Sequence, residues 1–548
     1  MNTPQERNAT ARDRAFDAIR NLAVEPTSRV SYRSDGRVLV VGIDEDMALA
    51  AARGLQGDLM PSVLLTSNGE SREVDGISVL YSNGREPLIE GHLGSFRVTV
   101  QVGGRTANVA TLMHSGQDAF DLVLDLGLAP LITAEWPPLG YFAPAFGDPE
   151  AFDQALESLR ELRGEFEKPK FFEYDPGICA HSRSGIQGCT RCIDACPAVA
   201  IRSLGETIEV QPELCQGGGI CATVCPTGAI TYAYPRPADL ILRVQTLLGQ
   251  YREHGGEDPV LLFFDDESGA EPLERMEPLP GEVLAIEVDE LGSVGLDVLL
   301  SSLAAGAREV LLLDTPALPA KVRRNLQEQL GHARAILQAL GYPRQALRLA
   351  QAGAGWTRGT EPMPVIEPAR VNGSGGKRST LYAALDHLHA EAPAPQSEIA
   401  LQTGAPFGAI RVDLNACTLC MACAAVCPAQ AVSTPGDTPR LDFTEARCVQ
   451  CGICERSCPE QAISLSPRLL TDRLQRDRSR VLHEEEPFAC VACGKPFATR
   501  SMIDQILHRL DGHPMFQDEA ARRRLMMCED CRVIDMFQAG QGGPGGTV

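Results

Sequence analysis

The 548-residue sequence contains nineteen cysteines, and they are not scattered. Seven lie between 179 and 225, eight between 417 and 458, and four form CxxC pairs at 490/493 and 528/531. An odd total, clustered at gaps of two and three residues, suits metal ligation in a reducing compartment better than disulfides. The second block has the clearest chemistry. CTLCMACAAVCP sets Cys417, Cys420, Cys423 and Cys427 at C-x2-C-x2-C-x3-C-P, and CVQCGICERSCP repeats that spacing at Cys448, Cys451, Cys454 and Cys458. In such a run three sulfurs wrap one iron–sulfur cluster while the fourth reaches across to a second. The expected ligand sets are Cys417, Cys420, Cys423 and Cys458 for one [4Fe-4S], and Cys448, Cys451, Cys454 and Cys427 for the other.

The segment after each fourth cysteine also recurs, as CPAVAI at 196, CPTGAI at 225, CPAQAV at 427 and CPEQAI at 458. Four copies imply two ferredoxin-like dicluster modules. In the first, Cys189, Cys192 and Cys196 keep register, but the leading cysteine, Cys179, stands ten residues before Cys189. Crossed pairing groups Cys179, Cys189, Cys192 and Cys225 around a third [4Fe-4S]. Cys196, Cys215 and Cys221 are left with three thiolates, because Gly218 holds the second slot of CQGGGICATVCP. Three thiolates suit a [3Fe-4S] core, while a labile [4Fe-4S] with an outside ligand and an empty site stay open. The same logic expects Gly218→Cys to make this site a stable [4Fe-4S].

The last four cysteines, Cys490 and Cys493 in ACVACGKPF and Cys528 and Cys531 in MMCEDCRV, form paired knuckles that suit tetrahedral Zn²⁺. A cubane there is the alternative, although neither pair has a third cysteine or a following proline. Between the knuckles Ile503, Ile506, Leu507 and Leu510 make an apolar helical stripe, expected to be core. His181, His508 and His513 lie near cysteines and could ligate metal; satisfied surface histidines are the simpler reading.

The elements that must position these residues follow from hydrophobic pattern. RVLVVG (37–42), SVLL (62–65), FRVTVQV (96–102) and DLVLDL (121–126) read as strands of one α/β domain. PVLLFF (259–264), EVLAIEV (282–288) and EVLLLD (309–314), with a helix over 321–340, read as a second. RVLVVGIDEDMALAA has the outline of a nucleotide-binding βα turn, but Asp44 and Met47 stand where glycines are needed, so a structural turn is expected. GSGGKRS (373–379) lacks the spacing of a phosphate loop. The fold class expected is multidomain α/β plus α+β, with two Rossmann-like domains, two dicluster modules and a C-terminal zinc-ribbon-like module. The expected boundaries are a mobile arm or short surface helix over 1–30, α/β over 31–168, the first module over 169–237, the second α/β domain over 238–365, linker and helix over 366–405, the second module over 406–470, the ribbon over 471–536 and a disordered tail over 537–548.

A net charge of −22 argues against nucleic acid or an anionic membrane as partner and favours a protein. The absence of a long apolar run or an apolar signal core predicts a cytoplasmic chain without a membrane span. Both cysteine modules, with the CGKPF and CEDCRV knuckles, resemble the large multi-cluster ferredoxin-like proteins found with bacterial cytoplasmic formate dehydrogenases. The order of elements in the second α/β stretch resembles the delta subunit of methyl-viologen-reducing hydrogenases, although that family's cysteines are missing here. The resemblance implies electron exchange with a formate dehydrogenase subunit. From the residues alone the expected function is electron transfer between redox partner proteins, without an organic substrate of its own. A scaffold or maturation factor for a metalloenzyme, and a redox-sensing regulator, remain as alternatives.

Overall fold

The computed structural model describes all residues except 1–2, 23, 115–116, 276–278, 353–358, 360, 437 and 542–548. Uninterrupted apolar runs build two parallel sheets, because a strand covered on both faces has no polar side. In the first, Val38 to Val41 are all buried, and the strand Arg37–Gly42 lies centrally. The order is Tyr141–Phe142, Leu122–Leu126, Arg37–Gly42, Met60–Leu65 and Ile77–Tyr81, all parallel, with Arg72–Val74 antiparallel at the edge. The helices Glu45–Leu55 and Pro149–Glu161 cover one face, where Ala48, Leu55 and Leu159 meet Val38 and Val40. At the turn after Arg37–Gly42 the Asp44 carboxylate accepts the Met47 N–H at 2.8 Å and caps the following helix.

FRVTVQV does not join this sheet. Its strand, Arg97–Val102, pairs antiparallel with Leu88–Glu90 and Arg105–Asn108 in a separate three-stranded sheet. Val98 and Val100 are buried there while Arg97, Gln101 and Val102 face outward, and the apolar side covers Leu39, Val41 and Val123. An alternating strand can bury only one side, so it serves as a cover rather than as a central strand.

The second parallel sheet runs Val283–Val288, Val260–Asp265, Glu309–Asp314 and Leu347–Gln351. Its core includes residues expected to be mobile. Residues 4–19 form the helix Pro4–Ile19, opened by a Thr3/Glu6 capping box, and Ala11, Ala15 and Ile19 share a core with Val244, Leu248 and Tyr251 of the helix Pro237–Glu253. Alanines four apart permit close helix–helix approach, which is why this polar segment packs. The segment expected as a linker is also anchored: Ile366 and Val371 are buried, and the helix Lys377–Ala390 places Leu381, Ala384 and Leu388 in the same core. In the C-terminal module only Ile503 of the expected stripe is buried, at 2% exposure, while Ile506, Leu507 and Leu510 are half-buried. The helix Glu529–Gln541 extends into the expected disordered tail, and residues 542–548 lie outside the described part. Among the described residues no helix is long and apolar enough to cross a membrane.

Candidate metal centres

The first module is held by short strand pairs, Phe172–Tyr174 with Ile230–Tyr232 and Ile201–Ser203 with Ile208–Val210. The ten-residue step from Cys179 to Cys189 is a β-hairpin. Strands Ser182–Arg183 and Ile186–Gln187 are joined by Ser184 and Gly185, both at positive φ, whose N–H groups donate to the Glu206 carboxylate. At its base the Gly188 N–H donates to the His181 carbonyl at 2.6 Å and the Cys189 N–H to the Ala180 carbonyl at 2.8 Å. The extra residues therefore fold out and return Cys189 to the neighbourhood of Cys179. His181 is not a surface histidine: it is 2% exposed, with Nδ1 bonded to the Cys189 carbonyl and Nε2 to Ser203 Oγ.

Thiol electrostatics group the cysteines. Burial, then the charges of Cys225, Cys189 and Cys179, pushes the Cys192 thiol far above its usual range. Cys221 is raised first by burial, then by Cys215, Cys196 and Cys192. In the second module burial lifts Cys423 to about 12, helped by Cys417, Cys420 and Cys458. Cys454 is raised by burial, then Cys448, Cys451 and Cys427. Within each block the thiols thus lie close enough to act on one another, and the groups also touch: Cys192 acts on Cys221, and Cys423 on Cys454. At Cys192, Cys221, Cys423 and Cys454 burial and like charges favour the neutral thiol, a preference that cationic metal would reverse. At Cys225 burial pushes the same way, but Lys377 and the Thr227 hydroxyl outweigh it and hold the thiol down.

The four C-P tails hide a feature the sequence did not signal. The third residue after each of these cysteines, Val199, Gly228, Gln430 and Gln461, has φ of 52°, 79°, 50° and 52°. That left-handed residue aims the next N–H back at sulfur: Ala200 donates to Cys196 Sγ at 3.4 Å, and Ala431 and Ala462 to Cys427 Sγ and Cys458 Sγ at 3.3 Å. In the fourth copy Thr227 Oγ1 takes the Ala229 N–H and itself lies 3.5 Å from Cys225 Sγ. Hydrogen bonds to sulfur stabilise the added negative charge of a reduced cluster.

Lysines from outside the module point the same way. Lys168 Nζ donates to the Cys215 carbonyl at 2.7 Å, Lys321 Nζ to the Cys196 carbonyl at 3.0 Å, and Lys377 Nζ to the carbonyls of Ala222 and Thr223 at 2.7 and 2.6 Å. Lys377 belongs to the GSGGKRS segment, so a motif without a phosphate loop's spacing supplies a cation beside the module.

Gly218 sits where three parts of the chain meet. A Cβ on it would stand 2.6 Å from Cζ3 of Trp136, one on Gly219 would stand 2.6 Å from Ser293, and one on Gly292 would stand 2.2 Å from the Gly218 carbonyl oxygen. Trp136 packs with the core formed around Cys196 and Ala222, which Cys215 and Cys221 also join. The glycine slot is therefore filled by a neighbour's ring, and a cysteine does not fit there without displacing it.

In the C-terminal module Cys490 and Cys493 lie in the turn between strands Pro487–Ala489 and Pro496–Thr499, and Cys528 and Cys531 at the start of Glu529–Gln541. All four Sγ atoms lie within 4.8 Å of one another, with Cys493 and Cys528 3.7 Å apart. Burial pushes Cys490 up, but the N–H groups of Cys528, Cys493 and Ala492 outweigh it and hold this thiol down at about 6. His508 and His513 do not join this group, and both are exposed.

Residues 161–229 and 416–462 each match the 4Fe-4S dicluster domain. These segments hold the seven and the eight cysteines of the two blocks. Hydrogenase-4 component A of Escherichia coli (strain K12) is 34% identical over 64 residues, 12% of this chain. The chain spans 29% of that protein's length. These matches place two ferredoxin-like 4Fe-4S dicluster domains in the chain, and each holds one of the two cysteine blocks.

Proposed function

We propose that the chain is a relay between redox partner proteins. Cys417, Cys420, Cys423 and Cys458, then Cys427, Cys448, Cys451 and Cys454, and Cys179, Cys189, Cys192 and Cys225 each hold one [4Fe-4S]. Cys196, Cys215 and Cys221 hold a [3Fe-4S] or a labile [4Fe-4S]. The observation that carries this reading is that the segments holding the two cysteine blocks both match the 4Fe-4S dicluster domain. The charges of Cys225 on Cys192, Cys196 on Cys221, Cys458 on Cys423 and Cys427 on Cys454 support the crossed sets. When bound, the clusters supply one-electron redox chemistry. The chain's residues fix their positions, exclude water and favour the reduced state through N–H groups and lysines.

For the knuckles we infer Zn²⁺. A tetrahedron with Zn–S bonds of about 2.3 Å has edges of about 3.8 Å, and the Cys493 to Cys528 distance of 3.7 Å fits it. The resemblance noted for the cysteine modules makes a formate dehydrogenase subunit in the bacterial cytoplasm the proposed electron donor or acceptor. The resemblance of the second parallel-sheet unit to a hydrogenase delta subunit makes it the proposed docking element.

Protein prepared anaerobically should carry on the order of 15 iron atoms and about one zinc per chain, with clusters that cycle reversibly. Iron near eight would remove the first module from the relay. Formate plus a formate dehydrogenase subunit should bleach the visible absorbance. If dithionite bleaches it and formate with the subunit does not, the proposed partner is wrong while the relay stands.

A further inference from the structure

The two modules touch, and the contact is specific about which sites meet. The hairpin that returns Cys189 lies against the second module: a Cβ on Gly188 would stand 2.5 Å from Ile453 Cγ1, and Arg456 donates to the carbonyls of Gln187 and Gly188. Ile453 lies between Cys451 and Cys454. A second bridge is Arg378, next to the half-buried Lys377. Its guanidinium donates to the Pro226 carbonyl at 3.4 Å on the first module, and to the carbonyls of Ala446 and Cys448 at 2.8 and 3.1 Å on the second. It also reaches the Pro406 carbonyl at 3.0 Å and the Tyr382 hydroxyl at 2.8 Å. Pro226 adjoins Cys225. Two independent contacts therefore set Cys189 and Cys225 of the first module opposite Cys451 and Cys448 of the second.

We propose that the modules are joined end to end, with the Cys179/Cys189/Cys192/Cys225 site facing the Cys427/Cys448/Cys451/Cys454 site and Arg378 as the positioning residue of the junction. The four sites then form one unbranched line. It begins at Cys196/Cys215/Cys221, enclosed by Trp136 and the second parallel-sheet unit, and ends at Cys417/Cys420/Cys423/Cys458, where Cys420 is exposed. Arg378 suits this task because a planar guanidinium presents five donors in a fixed fork, so one side chain can hold carbonyls of both modules. Its functional meaning rests on the relay reading. One electron moves per step, with no bond made or broken, from a low-potential donor at one end to an acceptor at the other.

The test uses full-length protein reduced with dithionite, read by EPR for spin–spin broadening between clusters, with iron analysis alongside. Cys448→Ala with Cys451→Ala should remove the junction-facing site of the second module and abolish the inter-module broadening of the Cys179/Cys189/Cys192/Cys225 signal. Cys417→Ala with Cys420→Ala should leave that broadening intact. The reverse pattern, or no effect from either pair, overturns the proposed order. Arg378→Gln should keep all iron and the within-module broadening while losing the inter-module part, and Arg378→Lys should restore some of it. An unchanged Arg378→Gln spectrum removes Arg378 from the junction. Failure of the relay reading shows separately, as wild-type clusters that do not return to the oxidised state after reduction.

Discussion

At the residue scale, backbone conformation explains choices that ligand counting does not. Gly218, which stands where the other runs have their second cysteine, is a packing glycine, because the Trp136 ring occupies the space of its side chain. Gly218→Cys alone is therefore expected to gain no iron and to lose about 1–3 kcal/mol by overpacking. Adding Trp136→Ala should make room for the thiol and raise iron by about one atom per chain. Iron analysis and chemical denaturation of both variants check this, and a gain of iron in the single variant would mean that the ring yields freely. Val199 makes a second case. Its φ of 52° strains a β-branched side chain that is 58% exposed and packs little, whereas the matching residue in the next copy is Gly228. Val199→Gly should stabilise the protein by roughly 0.5–1 kcal/mol, the relief of left-handed strain exceeding the entropy cost of glycine. A lower melting temperature would contradict it.

At the scale of elements, the C-terminal module is where the proposed Zn²⁺ would contribute most, because apolar core is scarce there. Cys490, Met527 and Cys528 are the fully buried members of its small core, with Phe497 and Cys531 packed beside them. On the zinc reading, the four thiolates would hold the hairpin to the helix Glu529–Gln541, since small metal modules draw their folding energy from the ion. A zinc-selective chelator is expected to release about one zinc, expose amides over 487–541 to hydrogen exchange, and leave the iron in place. Unchanged exchange after zinc loss would show that packing alone holds this module. The Thr499 hydroxyl, which donates to the Thr418 carbonyl at 3.0 Å, ties the module to the loop between Cys417 and Cys420.

At the scale of the whole molecule, the helix Lys377–Ala390 joins the parts. One side lies in the core of the second parallel sheet, and its N-terminal Lys377 and Arg378 reach both modules. Farther along, Asp386 accepts two hydrogen bonds from Arg476 at 2.8 and 3.0 Å, and Arg476 lies 4.1 Å from the centre of the Tyr382 ring. The Arg476 side chain is only 3% exposed, so Asp386→Ala would leave a buried charge without its carboxylate. Breaking such a pair costs about 3 kcal/mol or more, and calorimetry should show that loss. A change below about 0.5 kcal/mol would place Arg476 within reach of solvent screening.

The sequence by itself determined where the two 4Fe-4S domains lie. Cysteine spacing marks these domains because a cluster demands short, fixed steps between sulfurs, and uninterrupted apolar runs such as Val38 to Val41 or Leu311 to Leu313 name central strands because both their faces must be covered. Contacts between distant segments were decided only by the tertiary structure. Ala11, Ala15 and Ile19 read as polar surroundings with a few small residues until the helix Pro237–Glu253 is set beside them. FRVTVQV is visible as a strand, but which sheet it joins depends on the face that needs cover. Gly218 is legible as an absent cysteine and not as the seat of an indole ring 82 residues earlier in the chain. Arg378 looks like part of a linker, because no local pattern encodes four carbonyls and a hydroxyl drawn from four separate stretches of sequence; only the folded chain brings those acceptors to one guanidinium.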